Sequence, residues 1–510
     1  MPQWHLLPRR LLRQAARRRL LLPALGWGRP KDPPISLGAA SIVAALTHPD
    51  PSTGPAVEVQ HRTWVVNSTS FDADEVVAWA MEADCAALTS QQQGISSSWD
   101  FAIGAFVWNE CHVQHILTEL QRRGFSGRLI VGGPQVSYVT HGVSQYYPQA
   151  DVLIRGYAEQ ALHQLLVAEQ ACPDIPGVHY RGQPDRGLSC RTVLDELPSP
   201  LLTGESSVYN FKLRTGVCPL EALQRRSHET FDACIRKGSC SGCMRASPLA
   251  RAASAFATAE CAAHAVLTPL RVCAACATGV VKPQRFVRWE TQRGCPFSCS
   301  FCQHRARGNE ALRRRQFAAL RVEAEIDWIC ANDVIQDVAV LDATFNSGPQ
   351  SLTTLRRLAE RGFAGHISLQ CRLELITSEF LDAVTALDAG GARCMLEFGL
   401  LTIHAAEQEV IKRRNNPAKA DAALAQCRAR GIHFELSLMY GLPRQTVDSF
   451  AQSLERELGL VESTNFNTAL GPEFGEQGRV AGAIPHVVAS PSFSTDDWLA
   501  MVRMAEGKDA

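Results

Sequence analysis

Two stretches of this chain alternate short runs that are apolar on both faces with amphipathic segments, and no other feature limits its possible folds so tightly. In the first stretch, from Ile35 to about Ala168, residues 64–67, 101–108, 128–131 and 152–155 read as strands. Residues 72–83 and 111–123, and a segment from Ala158 onward, carry helical periodicity. A strand apolar on both faces must be covered on both, which predicts a parallel sheet between two helix layers. Such a doubly wound, Rossmann-like α/β sheet takes ligands beyond the carboxyl ends of its strands. The second stretch starts at Phe286, with strands predicted over 287–293, 338–342, 366–372, 394–398 and 434–439. Helices are predicted near 310–331, 351–361, 378–389, 406–413, 418–430 and 446–459. This is the spacing of a (β/α) barrel, again with chemistry at the carboxyl ends of its strands. After the fifth strand and its helix, Ser463-Thr464-Asn465-Phe466-Asn467 runs within a few residues into Gly471-Pro472-Glu473. A partial barrel of five clear strands, with an open wall, is therefore expected.

At 510 residues the chain exceeds a single core and divides into several units. The expected boundaries are a basic N-terminal extension over 1–34, the doubly wound domain over 35–171 and a linker over 172–203. An irregular Cys-rich insert over 204–283, the barrel over 284–470 and a C-terminal tail over 471–510 follow. The extension holds Arg9, Arg10, Arg13, Arg17, Arg18, Arg19 and Arg29 with no acidic residue before Asp32. That composition is compatible with organelle import or with a plain basic extension. The insert carries Cys240-x2-Cys243 and Cys273-x2-Cys276, spacings that suit zinc or an auxiliary cluster. Their wide separation, with Cys218, Cys234 and Cys261 left over, favours an irregular segment over a metal-binding module. Cys85, Cys111, Cys330, Cys371, Cys394 and Cys427 stand alone and read as small core hydrophobes. Lys+Arg and Asp+Glu balance at 51 each, so charge makes no case for a nucleic-acid partner. No apolar run approaches the roughly 20 residues of a membrane span. Cysteines scattered through a long chain point to an intracellular, cytoplasmic setting.

The segment with the most specific chemistry is Arg293-Gly294-Cys295-Pro296-Phe297-Ser298-Cys299-Ser300-Phe301-Cys302, at the end of the first expected barrel strand. Three closely spaced thiolates can hold three irons of a [4Fe-4S] cube and leave the fourth iron open. Zinc competes for such ligands, but a structural zinc site closes with four. No fourth cysteine lies nearby, and His304 follows too closely to close the site.

The Cys-x3-Cys-x2-Cys loop, with Phe301 before its third cysteine, resembles the radical S-adenosylmethionine (SAM) superfamily. Preceded by a doubly wound domain, it is similar to the cobalamin-dependent (B12-binding) radical SAM family of methyltransferase type, and to the tryptophan 2-C-methyltransferase subgroup. The resemblance covers about 35–203 and 284–505 and leaves the insert unmatched. It implies a [4Fe-4S] cluster on Cys295, Cys299 and Cys302, and SAM contacts from Phe301, Asn346, Arg372, Glu397, Gly441 and Leu442. It further implies cobalamin contacts from Trp108, Asn109, Gly132, Gly133, Pro134, Gln135, Gly156 and Tyr157. The implied activity is transfer of a methyl group from SAM, via methylcobalamin, to a carbon centre of a small molecule or peptide. The implied electron donor is a flavodoxin or ferredoxin. Polar or radical transfer, a non-methylating cyclase or rearrangement enzyme, a radical SAM enzyme without cobalamin, and a catalytically impaired iron–sulfur-binding homologue all stay open.

Overall fold

The computed structural model describes residues 18–29, 32–33, 35–92, 98–139, 142–204, 209–210, 282–283, 285–302, 314–458, 464–468, 476–479 and 485–506. The Cys-x-x-Cys pairs of the insert, residues 1–17 and His304 lie outside these residues.

The first sheet is built from β1 (Arg18–Gly26), α1 (Leu37–Thr47), β2 (Val59–Val65), α2 (Ala73–Gln92), β3 (Ser98–Gly104) and α3 (Glu110–Arg122). It continues through β4 (Leu129–Gly132), α4 (Pro134–Ser137), α5 (Val143–Tyr146), β5 (Val152–Ile154), α6 (Ala158–Val167) and β6 (Val178–Tyr180). Strand order is β2-β1-β3-β4-β5-β6, parallel throughout except for antiparallel β6. One face, including Phe101, Ile103, Leu129 and Val131, is covered by α2 and α3 through Val76, Val77, Ile116 and Leu117. The other, including Leu20, Leu22, Ala102 and Ile130, is covered by α1 and α6 through Val43, Leu46, Leu162 and Leu165. Each fully buried Val, Leu, Ile or Phe among them contributes about 1.5–3 kcal/mol. In this strand order the topological switch falls between β1 and β3, where ligands of such sheets sit.

Two expectations are corrected here. The domain does not begin at residue 35: Arg18–Gly26 of the expected basic extension forms β1, lodged between β2 and β3. Leu20 and Leu21 are wholly buried, so the short Leu20-Leu21-Leu22 run is a two-faced strand preceded by arginines. The expected strand over 101–108 ends at Gly104, which moves Trp108 and Asn109 into the loop before α3.

The second sheet contains β9 (Phe286–Trp289), β12 (Asp337–Val340), β13 (His366–Cys371), β14 (Arg393–Leu401), β15 (His433–Tyr440) and β16 (Thr464–Thr468). All six are parallel, in the order β16-β15-β14-β13-β12-β9. Helices Ala319–Ala331, Ser351–Glu360, Ser378–Ala389, Pro417–Ala429 and Val447–Leu458 alternate with them. The sixth strand, expected to be missing, is present: β16 pairs with β15 from Leu436↔Thr464 to Tyr440↔Thr468. An edge strand is held through backbone groups on one side, so the Thr464-Asn465-Phe466-Asn467 sequence needs no apolar run to join the sheet. The expected strand over 287–293 splits into β9 and a separate β10 (Gln292–Arg293), which pairs antiparallel with β11 (Arg315–Gln316). Of the solitary cysteines, Cys371, Cys394 and Cys427 are buried as expected, whereas Cys85 and Cys111 lie exposed on α2 and α3. In a separate unit, β7 (Tyr209–Asn210) pairs antiparallel with β8 (Lys282–Pro283).

Candidate functional site

The bend between β9 and β10 is set by Asp342, which follows β12. Its buried carboxylate accepts from the backbone N–H groups of Thr291 (2.8 Å) and Gln292 (3.2 Å) and from the Thr291 hydroxyl (2.5 Å). Gln292 Nε2 donates to the Thr344 carbonyl at 2.8 Å. The β10–β11 ladder then closes the base of the thiol loop through Gln292↔Gln316 and Arg293↔Arg315. Gly294, at φ +83°, turns the chain out of that ladder. Ser300 anchors the middle of the loop: its N–H donates to the Ile411 carbonyl (2.8 Å) and its hydroxyl to that of Val410 (3.1 Å). Phe301 packs against Leu401, Ile411, Met439 and Leu442.

Cys299 is buried, Cys295 and Cys302 are half-buried, and all three are free of disulfides. Cys295 Sγ lies 3.6 Å from Thr344 Oγ1, and Arg413 Nη1 lies 4.0 Å from Cys299 Sγ. Among the described residues no three Cys, His, Asp or Glu converge as ligands of one ion do. A cube asks for something else, one thiolate at each of three separate irons. The all-sulfur donor set, with a guanidinium beside one thiol, fits that group.

The other barrel strands follow β9 across the sheet in the order β12, β13, β14, β15. Asn346 is committed to a reciprocal pair: its Nδ2 donates to the Arg372 carbonyl and its Oδ1 accepts from the Arg372 N–H, each at 2.9 Å. The Arg372 guanidinium donates to Glu374 (3.1 Å) and lies 3.9 Å over the Phe297 ring, inside the thiol loop. Gln370, Glu397 and Glu435 stand side by side across β13, β14 and β15. They occupy the face opposite the wholly buried Leu369, Leu396 and Leu436. Burial and the neighbouring Glu397 charge raise the Glu435 pKa, and its Oε1 is buried with no partner among the described residues. Gly441 sits at φ +76°, where an added Cβ would stand 3.2 Å from the Val487 carbonyl. The Leu442 side chain is in the core and its N–H donates to Gln445 Oε1, so it shapes this turn from within.

The carboxyl ends of β3, β4 and β5 make a second shelf. Asn109 is wholly buried: its Nδ2 donates to the carbonyls of Leu25 (3.2 Å) and Gly104 (3.1 Å), and its Oδ1 accepts from the Phe106 N–H. It therefore clamps β1 to β3 at the switch point and has no side-chain atom left for a ligand. Phe106 and Trp108 stack with ring centroids 4.5 Å apart, and Trp108 Nε1 is buried without a partner among the described residues. Gly133, at φ +91°, passes so close to Ala105 that a Cβ would meet its carbonyl oxygen at 2.7 Å. Gly132 precedes it, and Pro134 starts α4. Gln135 Nε2 and the Tyr147 hydroxyl both donate to Glu110, at 2.6 and 3.1 Å. Gly156, at φ +86°, donates its N–H to Ser137 Oγ, and Tyr157 lies under Arg293 (5.0 Å) and Arg315 (5.3 Å). A flat aromatic pair beside glycine turns, with an orphaned indole N–H, fits a large planar ring bearing polar side groups.

Residue choice from sequence missed Arg413, Glu435 and Tyr147. Asp342 carries a sequence signal, as an acid ending an apolar strand. Burial pushes its pKa up to about 7, against the pull of the Thr291 and Gln292 hydrogen bonds. The folded value exceeds the unfolded value near 4, so the folded state holds the extra proton. Stability falls as pH rises across that window, by up to about 1.4 kcal/mol per unit. Asp342→Asn keeps the backbone acceptor and has no charge to bury. In urea denaturation of the iron-free chain, the variant should gain on the natural protein more at pH 8 than at pH 5. Parallel pH profiles for the two would overturn this.

Residues 289–456 match the radical SAM superfamily. The 2-(S-pantetheinyl)-carbapenam-3-carboxylate methyltransferase of Streptantibioticus cattleyicolor is 25% identical over 398 residues, 75% of this chain and 47% of that protein. The cobalamin-dependent radical SAM methyltransferase TokK of Streptomyces tokunonensis is 24% identical over 441 residues, 80% of this chain and 54% of that protein. The chain thus spans about half the length of these curated relatives. In fold it is similar to TsrM, a radical SAM methyltransferase of Kitasatospora setae, with a TM-score of 0.55 at 17% identity over 89% of this chain and 73% of that chain. Residues 289–456, which include the thiol loop, thus match the radical SAM superfamily, and over most of its length the chain is similar to two methyltransferases, one of them a cobalamin-dependent radical SAM enzyme.

Proposed function

We propose that this chain is a methyltransferase using a [4Fe-4S] cluster, SAM and cobalamin to methylate a carbon centre of a small molecule or peptide. The observation that carries the reading is the meeting of two shelves. The base of the thiol loop, Arg293, lies over Tyr157, which follows the Gly156 turn at the carboxyl end of β5. Bound together, the three groups supply a low-potential electron, a methyl group and its carrier. Cys295, Cys299 and Cys302 would each give one thiolate to the cube, and Arg413 offsets their negative charge at Cys299. Gln370, Glu397 and the unpartnered Glu435 oxygen would accept hydrogen bonds from the ammonium and hydroxyl groups of SAM. The Gly441 turn leaves backbone room beside its adenine. Phe106 and Trp108 would lie against the corrin ring, with Gly133 permitting close backbone approach and Gln135, held by Glu110, at its edge. A flavodoxin or ferredoxin would deliver the electron.

Anaerobic reconstitution with iron, sulfide and hydroxocobalamin, followed by SAM and a strong reductant, tests the reading. Stoichiometric corrin uptake and cobalamin-dependent release of S-adenosylhomocysteine are expected. Cluster formation without corrin uptake would sink it, and corrin uptake without S-adenosylhomocysteine would favour a non-methylating enzyme.

A further inference from the structure

The sequence around the thiol loop puts a charged residue, Arg293, two positions before the first thiol, where an apolar strand residue would serve a simple barrel. Its side chain is 8% exposed and fully engaged. Nη1 donates to Glu159 Oε1 (2.7 Å), Nε to Glu290 Oε2 (2.7 Å) and Nη2 to Ser41 Oγ (3.3 Å). Ser41 in α1 in turn donates to Glu159 Oε1 at 3.1 Å. Glu159 opens α6, three residues after Gly156, and is 4% exposed. Burial raises its pKa, but the Arg293 charge and the hydrogen bonds outweigh that and keep it ionised. Arg315, the partner of Arg293 across the loop base, also lies over Tyr157. Both strands that close the thiol loop therefore set a guanidinium on the residue after the Gly156 turn.

A buried ion pair is poor evidence for stability, because apolar side chains of similar volume often do as well. What it supplies is a single geometry. Domain contacts within a chain otherwise permit relative motion, and misplacing reacting groups by about 1 Å can cost about a hundredfold in rate.

We propose that the Arg293–Glu159 pair is a positioning element that holds the thiol loop and the β3–β5 shelf at one separation and orientation. The inference rests on the reading above that these two shelves carry a cluster and cobalamin. Neither residue touches the reacting atoms, and the readout is accordingly a distance.

The test uses the full chain reconstituted with iron, sulfide and hydroxocobalamin and reduced so that cobalt and cluster are both paramagnetic. Pulsed dipolar electron paramagnetic resonance then measures the cobalt–cluster distance distribution. The natural protein should give one narrow distribution. Glu159→Ala should broaden it about twofold or more, as expected of a freed domain contact, with iron and corrin contents unchanged. Glu159→Gln, which keeps the acceptor for Arg293 and Ser41, should restore part of the narrow distribution. An unchanged width in Glu159→Ala overturns the inference. So does loss of both iron and corrin in Glu159→Ala and Glu159→Gln, since the pair would then serve only to hold the fold. A natural protein that takes up iron and no corrin overturns the functional reading, and this inference with it.

Discussion

Replacing Cys295, Cys299 and Cys302 together by Ala should abolish iron and sulfide uptake on anaerobic reconstitution, removing the roughly four irons of one cube per chain. The cysteines buried around the barrel sheet cannot take over. Cys371 and Cys394 are buried in the barrel wall, and burial drives both thiols far above their usual range. Burial likewise pushes Cys427 up to about 11. A thiol must be ionised to bind iron, so these stay protonated and uncoordinated at neutral pH. The loop itself should survive the change, because Ser300 and Phe301 anchor it independently of sulfur. Iron and sulfide analysis with near-ultraviolet and visible absorption checks this, with thermal unfolding of the iron-free variant as the folding control. Iron retained at the natural level would assign it instead to the Cys-x-x-Cys pairs at 240/243 and 273/276.

Asp100→Ala should be the most damaging single change in the first sheet. Arg128 and Asp100 are both 0% exposed, with Nη2 donating to Oδ2 at 2.7 Å, Nε to Oδ2 at 3.0 Å and the Arg128 N–H to Oδ1 at 2.9 Å. Removing the carboxylate leaves a guanidinium with no counter-charge in the middle of the sheet, a loss of about 3–5 kcal/mol. At about 2–4 °C per kcal/mol, the melting temperature should fall by about 6–20 °C. The double change Asp100→Leu with Arg128→Met removes both charges and should recover much of the loss. A single variant within 1 °C or so of the natural protein would refute this reading of the pair.

Much of the fold was legible because its strands are apolar on both faces, so the sequence marks them without help from neighbours. The exceptions have physical causes. β1 was hidden among arginines, since Arg18 and Arg19 sit at its start while Leu20 and Leu21 are inside. β16 was hidden because an edge strand is recruited by the backbone of β15. The family resemblance implies ligand contacts from Asn109 and Asn346, both expected at strand ends. Each instead binds main-chain groups of its own surroundings.

Spacing along the chain was enough to single out the thiol loop, and the family resemblance pointed to the Gly132-Gly133-Pro134 turn; a ligand set and a positive-φ turn are both local properties of neighbouring residues. Which other residues join them was decided by tertiary structure alone. Arg293 meets Glu159 across 134 positions of chain, and Arg413 meets Cys299 across 114. Glu435 reaches Glu397 only through strand register. Charge pairing and register act over a few ångströms of space, and sequence order carries no record of such distances.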